Sequence, residues 1–241
     1  MSDSSKVDVL AVGAHPDDVE ITCGGTVRKL IENGHKVAIL DLTKGEKGSR
    51  GTLAIRKREA ESAAEVLGIA RRINLGLPDA FVENNRENRL KLVVLLRKLR
   101  PQLLIIPHSR QRHPDHRRSS ELLYDSCHLS GLEKIKTGDL KPHRPFKILY
   151  STSFLEVEPS FMVDITSQMD IKLRAVACYE SQFHPDPKKP VVYPPANDIF
   201  DFIKTDAHRF GYKTGVQYCE PFVQNELFLI DDPLTLPVRS I

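Results

Sequence analysis

Short apolar runs of strand length alternate with segments of helical periodicity through residues 1–151 of this chain. The run Leu103–Pro107 is apolar at every position, which is typical of a strand covered by helices on both faces of a parallel sheet. The alternation predicts a Rossmann-like, doubly wound α/β fold with a mostly parallel sheet and helices on both faces. The predicted strands are Val7–Gly13, Lys36–Thr43, Arg72–Leu77, Leu103–Pro107 and Phe146–Ser151. The predicted helices are Asp18–Asn33, Leu53–Leu67, Asn88–Leu99 and Asp115–Ser130.

The remaining residues are less regular, and we interpret 152–241 as a C-terminal elaboration of a single domain that spans 1–241. A proline-rich stretch at His184–Asn197 predicts an ordered surface loop, because proline removes a backbone donor and fixes φ. The elements predicted around it are strands at Phe161–Ile165 and Glu226–Ile230 and helices at Gln168–Phe183 and Asp198–Ala207.

The composition excludes several classes of partner. A net charge of +3 is too weak to argue for nucleic acid or an acidic membrane surface, and no apolar run approaches the length of a membrane span. The four cysteines stand singly, as reduced thiols in a cytoplasmic protein do. We therefore expect a cytoplasmic protein that binds neither nucleic acid nor membrane.

Two short clusters of histidine and aspartate each follow a predicted buried strand and open a predicted helix. They are His15-Pro-Asp17-Asp18 and His113-Pro-Asp115-His116. In the common strand order 3-2-1-4-5, the first and fourth strands are neighbours at the topological switch point, where such folds bind their ligands. The two clusters are therefore predicted to form one site at the carboxyl ends of these strands.

Imidazole nitrogen and carboxylate oxygen are good ligands for zinc and its first-row neighbours. His15 and Asp18 are three residues apart at a strand-to-helix turn, and His113 and His116 have the same spacing. A catalytic zinc takes three protein ligands, so the clusters leave further groups for acid–base chemistry. The alternative is that Asp17 or Asp18 only caps a helix and that the histidines belong to ordinary turns. The occurrence of both clusters favours the metal.

These residues resemble those of a known family. The segment AHPDD at Ala14–Asp18, continued by VEIxxGG through Gly25, and the HPDH at His113–His116 are similar to the motifs of the zinc-dependent de-N-acetylases, the LmbE-like family. The segment GExGxRGTxxxR at Gly45–Arg56 is most similar to the branch that acts in bacillithiol biosynthesis, on N-acetylglucosaminyl-malate. The pieces Tyr179–Gln182 and Gly215–Phe222 also match, so the resemblance covers nearly the whole chain.

The resemblance implies a role for each residue of the clusters. The implied zinc ligands, which could also hold iron(II), are His15, Asp18 and His116. Asp17 would be the general base, and His113 would stabilise the oxyanion or protonate the leaving amine, with Asp115 orienting it. It further implies an arginine that contacts the substrate, at Arg56, and a homo-oligomer such as a hexamer.

Four points stay open at this stage. Arg112 could bind a substrate carboxylate, since a guanidinium forks well onto one, or could be an ordinary solvated arginine. The family's oxyanion tyrosine could be Tyr193 or Tyr212. The resemblance implies hydrolysis of the N-acetyl group of a small-molecule sugar conjugate and favours the N-acetylglucosaminyl-malate conjugate, whose carboxylates would suit Arg56 and Arg112. The alternative is another N-acetylglucosamine conjugate, such as an inositol conjugate, an antibiotic precursor or a chitin fragment. A sugar- or nucleotide-binding module without catalysis is the rival function, with Gly45–Gly51 as a phosphate-binding loop.

Overall fold

The computed structural model describes residues 5–152, 155–183 and 199–238. It contains a seven-stranded sheet in the order β3-β2-β1-β4-β5-β7-β6. The strands are β1 (Val9–Gly13), β2 (Val37–Thr43), β3 (Arg71–Leu77), β4 (Leu103–Pro107), β5 (Lys147–Ser151), β6 (Phe161–Asp164) and β7 (Cys219–Val223). β1 to β5 are parallel, whereas β7 pairs antiparallel with both β5 and β6. The predicted mixed α/β fold and the order of its first five strands are confirmed.

Helices follow the strands as the alternation predicts. They are α1 (Asp18–Glu32), α2 (Leu53–Leu67), α3 (Arg86–Leu99), α4 (Pro114–Ser130), α5 (Met169–Ala177), α6 (Glu180–Phe183) and α7 (Ile199–Thr214). α3 packs against α4, and α5 packs against α1 and α2. Among the described residues, no helix is both long enough and apolar enough to cross a bilayer.

The core consists of two apolar layers, because successive side chains of a strand point to opposite faces of the sheet. All five residues of β1 are buried, and Ala11 lies between Ile39 of β2 and Ile105 of β4. The layer shared with α3 and α4 includes Leu10, Leu40, Leu104, Leu96 and Leu122. The layer shared with α1, α2 and α5 includes Ala11, Ile39, Ile105, Val27, Leu67 and Ala175. This double covering fixes β1 and β4 side by side at the centre of the sheet.

The C-terminal part departs from three predictions. The predicted strand Glu226–Ile230 is wrong: its apolar composition suggested a strand, but the side chains of Leu227 and Leu229 are 97% and 95% exposed, and β7 pairs with the sheet instead. The predicted helix Gln168–Phe183 is divided into α5 and α6, because the chain turns at the fully buried Tyr179, whose hydroxyl donates to Glu20. The last helix extends to Thr214. The predicted loop 184–197 lies outside the described residues.

Candidate metal centre

The two clusters lie at the carboxyl ends of β1 and β4, which are parallel neighbours. The first cluster occupies the tight turn between β1 and α1. A Cβ at Gly13 would lie 2.9 Å from both the Asp18 Cβ and the His15 carbonyl oxygen, so this turn requires a glycine. The Asp18 carboxylate closes the turn by accepting the His15 backbone N–H at 2.8 Å. The second cluster begins α4, with Pro114 in the first helical turn where its missing N–H costs nothing.

Three side-chain atoms from the two clusters converge on one point. His15 Nδ1 lies 3.6 Å from Asp18 Oδ2, and His116 Nε2 lies 3.3 Å from the same oxygen. The two imidazole nitrogens are 3.3 Å apart. The structure thus brings together the three residues that the resemblance implies as metal ligands.

The groups that contact Nε2 of the His15 ring determine which ring nitrogen carries the proton and which one directs a lone pair towards that point. His15 Nε2 lies 3.0 Å from Asp79 Oδ1 and 3.3 Å from Asp115 Oδ2. Two carboxylates at Nε2 favour a proton there and leave Nδ1 as an electron-pair donor. Three converging donors of nitrogen and oxygen type, one of them anionic, fit a divalent cation of the zinc or iron(II) class.

Two groups of potential ligands overlap at His15. One comprises His15, His113 and His116, and the other comprises His15, Asp79 and Asp115. In the second group, both carboxylates also accept backbone N–H groups, from Lys47 at Asp79 and from Ala80 at Asp115. We therefore interpret the second group as hydrogen bonding that orients His15, and not as a separate metal site.

Charges at the centre shift the ionisation of its ligands. Burial raises the pKa of the Asp18 carboxyl, but the nearby His116 and His15 outweigh burial and hold that pKa well below its ordinary value. Burial lowers the pKa of His15, while its hydrogen bonds to Asp115, Asp18 and Asp79 raise it well above the ordinary value. The Asp79 pKa falls to about 2, because its hydrogen bonds to His15 and Lys47 outweigh burial.

Asp17 is held in an uncommon backbone conformation beside the converging donors. Its φ is 114°, a region that non-glycine residues rarely adopt, and its side chain caps nothing although it stands at the N-cap of α1. The capping alternative for Asp17 is therefore wrong. Burial raises the pKa of its carboxyl to about 7, although the Arg56 guanidinium lowers it. An ionisable group near neutrality is suited to proton transfer.

Arg56 is turned inwards and only 6% exposed. Its Nη2 donates to the Pro16 carbonyl oxygen at 2.7 Å and to Asp17 Oδ2 at 3.3 Å. The side chain thus supports the turn that carries Asp17, and the contact of Arg56 with substrate stays a prediction. Arg112 is exposed and immediately precedes His113 at the start of α4.

His113 and Asp115 differ in one respect from the expected arrangement. The backbone N–H of Asp115 donates to His113 Nδ1, which leaves Nε2 as the proton-bearing nitrogen of the neutral ring. Burial and the neighbouring His15 and His116 lower the pKa of His113. The Asp115 carboxylate, expected to orient His113, instead accepts from the His15 ring and from the backbone of Ala80 and Val82. The physical reason is that Asp115 points into the 80–82 turn from the buried side of α4.

Of the two tyrosine candidates, the structure describes only Tyr212, and it is not at this centre. Tyr212 lies on α7, which packs against β7 and β6, and its side chain is 83% exposed. Tyr193 falls outside the described residues. Sequence reasoning also missed Asp79, which follows the carboxyl end of β3. The sequence feature that could have indicated Asp79 is an aspartate just after a third strand of the same parallel sheet. It was not recognised, because 64 residues separate it from His15.

The fold and the centre define a doubly wound α/β protein with the donor set of a metal-dependent hydrolase at its switch point. The family model described as GlcNAc-PI de-N-acetylase (PIG-L) matches residues 10–127. The chain is 33% identical over 223 residues to the diacetylchitobiose deacetylase of Thermococcus kodakarensis, covering 88% of this chain and 80% of that protein. The chain therefore belongs to the PIG-L family of deacetylases.

Solved structures show the same architecture. A conserved protein of Thermus thermophilus superposes with a TM-score of 0.84 at 37% identity, covering 93% of this chain and 98% of that one. The N,N'-diacetylchitobiose deacetylase of Pyrococcus horikoshii superposes with a TM-score of 0.78 at 32% identity, covering 89% of this chain and 82% of that one.

Two further sequence relatives are each 25% identical to this chain. They are a probable N-acetyl-α-D-glucosaminyl L-malate deacetylase of Bacillus cereus and the 4-oxalmesaconate hydratase of Pseudomonas putida. These identities support the family but not its malate branch.

Proposed function

We propose that this chain is a metal-dependent hydrolase that removes the acetyl group from an N-acetylglucosamine conjugate, giving acetate and the free amine. The observation that carries the proposal is the convergence of His15 Nδ1, Asp18 Oδ2 and His116 Nε2 within 3.3–3.6 Å of one another. The family of the chain supports the reaction class.

The ligands of the ion would be His15, Asp18 and His116. A zinc or iron(II) ion held by them would act as a Lewis acid that lowers the pKa of water and polarises the acetyl carbonyl. The hydrogen bonds at the far nitrogen of His15 would keep its ring oriented towards the ion, as such bonds do in metalloenzymes.

Asp17 is expected to accept the proton of the attacking water. The hydroxyl oxygen adds to the acetyl carbon, and the C–N bond then breaks as Asp17 returns the same proton to the departing amine. Arg56 holds the Asp17 carboxylate in place at 3.3 Å. His113, with its proton on Nε2, is expected to donate a hydrogen bond to the carbonyl oxygen as negative charge develops there.

The part of the substrate beyond the amino sugar decides between branches of the family. The sequence favours the malate conjugate because Arg56 and Arg112 would suit its carboxylates. Arg56 already donates to Pro16 and Asp17, so the case for a contact between Arg56 and a malate carboxylate is weaker. The relative at 33% identity is named for a neutral disaccharide, so N,N'-diacetylchitobiose is the first substrate to test, with the malate conjugate as its rival.

The test is release of free amine from N,N'-diacetylchitobiose, N-acetylglucosaminyl-malate and N-acetylglucosaminyl-inositol by the purified, metal-loaded chain. We expect turnover of at least one conjugate, its loss after chelation, and its return with zinc or iron(II). The Asp17→Asn variant controls for a contaminating deacetylase. Absence of turnover with all three, in protein shown to hold metal, would contradict the proposal.

A second candidate is addition of water to a carbon–carbon double bond, because a 25% identical relative covering 73% of this chain is named as 4-oxalmesaconate hydratase. The same carboxylate, Asp17, could take a proton from water in either reaction. Loss of the 4-oxalmesaconate double-bond absorbance on incubation, without amine release from the sugars, would favour this candidate.

A further inference from the structure

Asp79 joins three parts of the molecule at the edge of the centre. It follows β3 in the turn Pro78-Asp79-Ala80, where Ala80 has a φ of 66°. Its side chain is 7% exposed, although it is an aspartate and lies in a loop. Asp79 Oδ1 lies 3.0 Å from His15 Nε2, and Oδ2 accepts the Lys47 backbone N–H at 2.7 Å. A buried carboxylate with both oxygens engaged is fixed in position.

The second carboxylate at His15 Nε2 is more distant and is already occupied. Asp115 Oδ2 lies 3.3 Å from His15 Nε2, and the same oxygen accepts the Ala80 backbone N–H at 2.8 Å. The other Asp115 oxygen accepts the Val82 N–H at 3.3 Å. A ring nitrogen has one proton to donate, so the shorter contact with Asp79 is the principal one. Asp115 mainly holds the turn in which Asp79 stands.

We propose that Asp79 is the positioning residue for His15, fixing the ring with its proton on Nε2 and its lone pair on Nδ1, and that the loop Gly45–Gly48 sets the position of Asp79. The inference rests on the proposed metal centre and deepens it. Partners at the far nitrogen of a metal-binding histidine fix its tautomer and raise its basicity, and their removal typically costs about 10–100-fold in metal affinity.

The loop Gly45–Gly48 holds Asp79 through two hydrogen bonds. The Asp79 backbone N–H donates to Glu46 Oε1 at 2.9 Å, and the Lys47 N–H donates to its carboxylate. The same loop packs on Arg56: a Cβ at Gly45 would lie 2.7 Å from the guanidinium, so a side chain there would displace it. One loop therefore reaches Asp17 through Arg56 and the metal ligand His15 through Asp79. Disturbing the loop is expected to weaken metal binding without touching a ligand.

The first experiment measures zinc affinity by competition with a chromophoric chelator. We expect Asp79→Asn to bind zinc about 10–100-fold more weakly than the native chain. Glu46→Ala, which removes the acceptor for the Asp79 N–H, should weaken binding less than Asp79→Asn does. Ser49→Ala changes an exposed residue a few positions further along the chain and is the matched control, expected to bind as the native chain does.

The second experiment detects the tautomer of His15 directly, by ¹⁵N NMR of histidine-labelled, metal-free protein at a pH high enough for the His15 ring to be neutral, with the His15 signal assigned from its loss in His15→Gln. The native ring should show a protonated Nε2 protected from exchange. In Asp79→Asn the signal should shift towards mixed tautomers, while the melting temperature stays within a few degrees of native. A purely structural role would move the melting temperature and leave the tautomer unchanged.

Separate results would overturn the inference and the proposed function. Native zinc affinity and a native tautomer in Asp79→Asn would make the inference wrong. If both were also lost in Asp115→Asn, Asp115 would be the positioning residue. Equal zinc affinity in the native chain and His116→Ala would contradict the metal centre itself. Even then, the NMR signal of His15 in metal-free protein decides whether Asp79 fixes the ring.

Discussion

Two clusters of buried charge lie along α1, and they differ in whether the buried carboxylate is paired with a lysine or arginine. Behind the helix, Lys172 Nζ lies 2.6 Å from Glu220 Oε1, and both side chains are nearly inaccessible at 3% and 2% exposure. At the N-terminal end, His15 Nδ1, Asp18 Oδ2 and His116 Nε2 face one another, and no lysine or arginine of the described residues pairs with Asp18 there. A cluster that neutralises itself stabilises the fold, whereas one that leaves converging donors is suited to bind a cation.

The Lys172–Glu220 pair has an identifiable structural task. α1 is interrupted at Cys23, where φ is −145° and ψ is 19°. Glu220 accepts the backbone N–H groups of Gly25 and Thr26, at 2.9 and 2.6 Å, just beyond the break. Such N–H groups at the start of a helical segment lack intrahelical acceptors, and a carboxylate there also interacts favourably with the helix dipole. The pair therefore holds the second half of the helix that begins at Asp18.

The largest effect that would test this comparison is expected at the centre, in Asp17→Asn. The substitution keeps size and removes proton-accepting ability, so kcat should fall by about 10²–10⁴-fold. Zinc content should stay native because Asp17 is not among the converging donors. Steady-state rates with the best substrate and metal analysis of the same sample check both expectations. Loss of zinc with Asp17→Asn would mean that the division between ligands and base is wrong.

The next effect is expected at the other cluster, in Lys172→Ala. Removing the cation leaves the Glu220 charge buried and unpaired, which costs about 3–5 kcal/mol in the free energy of unfolding. Urea denaturation gives this value, and zinc affinity measured at low temperature on the folded protein should change little. A loss below about 1 kcal/mol would show that water reaches Glu220 and that the cluster is not closed.

A smaller loss is expected when both members of the pair become neutral, in the double variant Lys172→Met with Glu220→Gln. The glutamine oxygen can still accept one backbone N–H, and no charge remains unpaired. The double variant should therefore be more stable than Lys172→Ala, with a residual cost of about 1–3 kcal/mol for the backbone donor left without an acceptor. Denaturation of Lys172→Met, of Glu220→Gln and of the double variant gives the coupling energy between the two side chains. Additive losses would contradict a closed pair.

The sequence predicted the centre better than it predicted the contacts that support it. His15 and His116 could be placed together because their strands are neighbours in a known topology, and apolar strands reveal that topology. Asp79 and Glu220 could not be placed, since Glu220 meets Gly25 across 195 residues and no local pattern encodes such a contact. The exposed Leu227 shows the converse error, because apolar composition alone does not reveal which runs find a partner strand.

The smallest effect is expected where charge is neither buried nor convergent. Lys57 and Glu61 stand one turn apart on α2, 3.7 Å from each other, with side chains 77% and 58% exposed. Water screens such a pair, and holding two long side chains together costs entropy, so Lys57→Gln should change stability by no more than about 0.5 kcal/mol. Denaturation and zinc titration of this variant give the baseline for both clusters. A cost as large as that of Lys172→Ala would mean that burial is not what separates structural charge from ordinary surface charge in this protein.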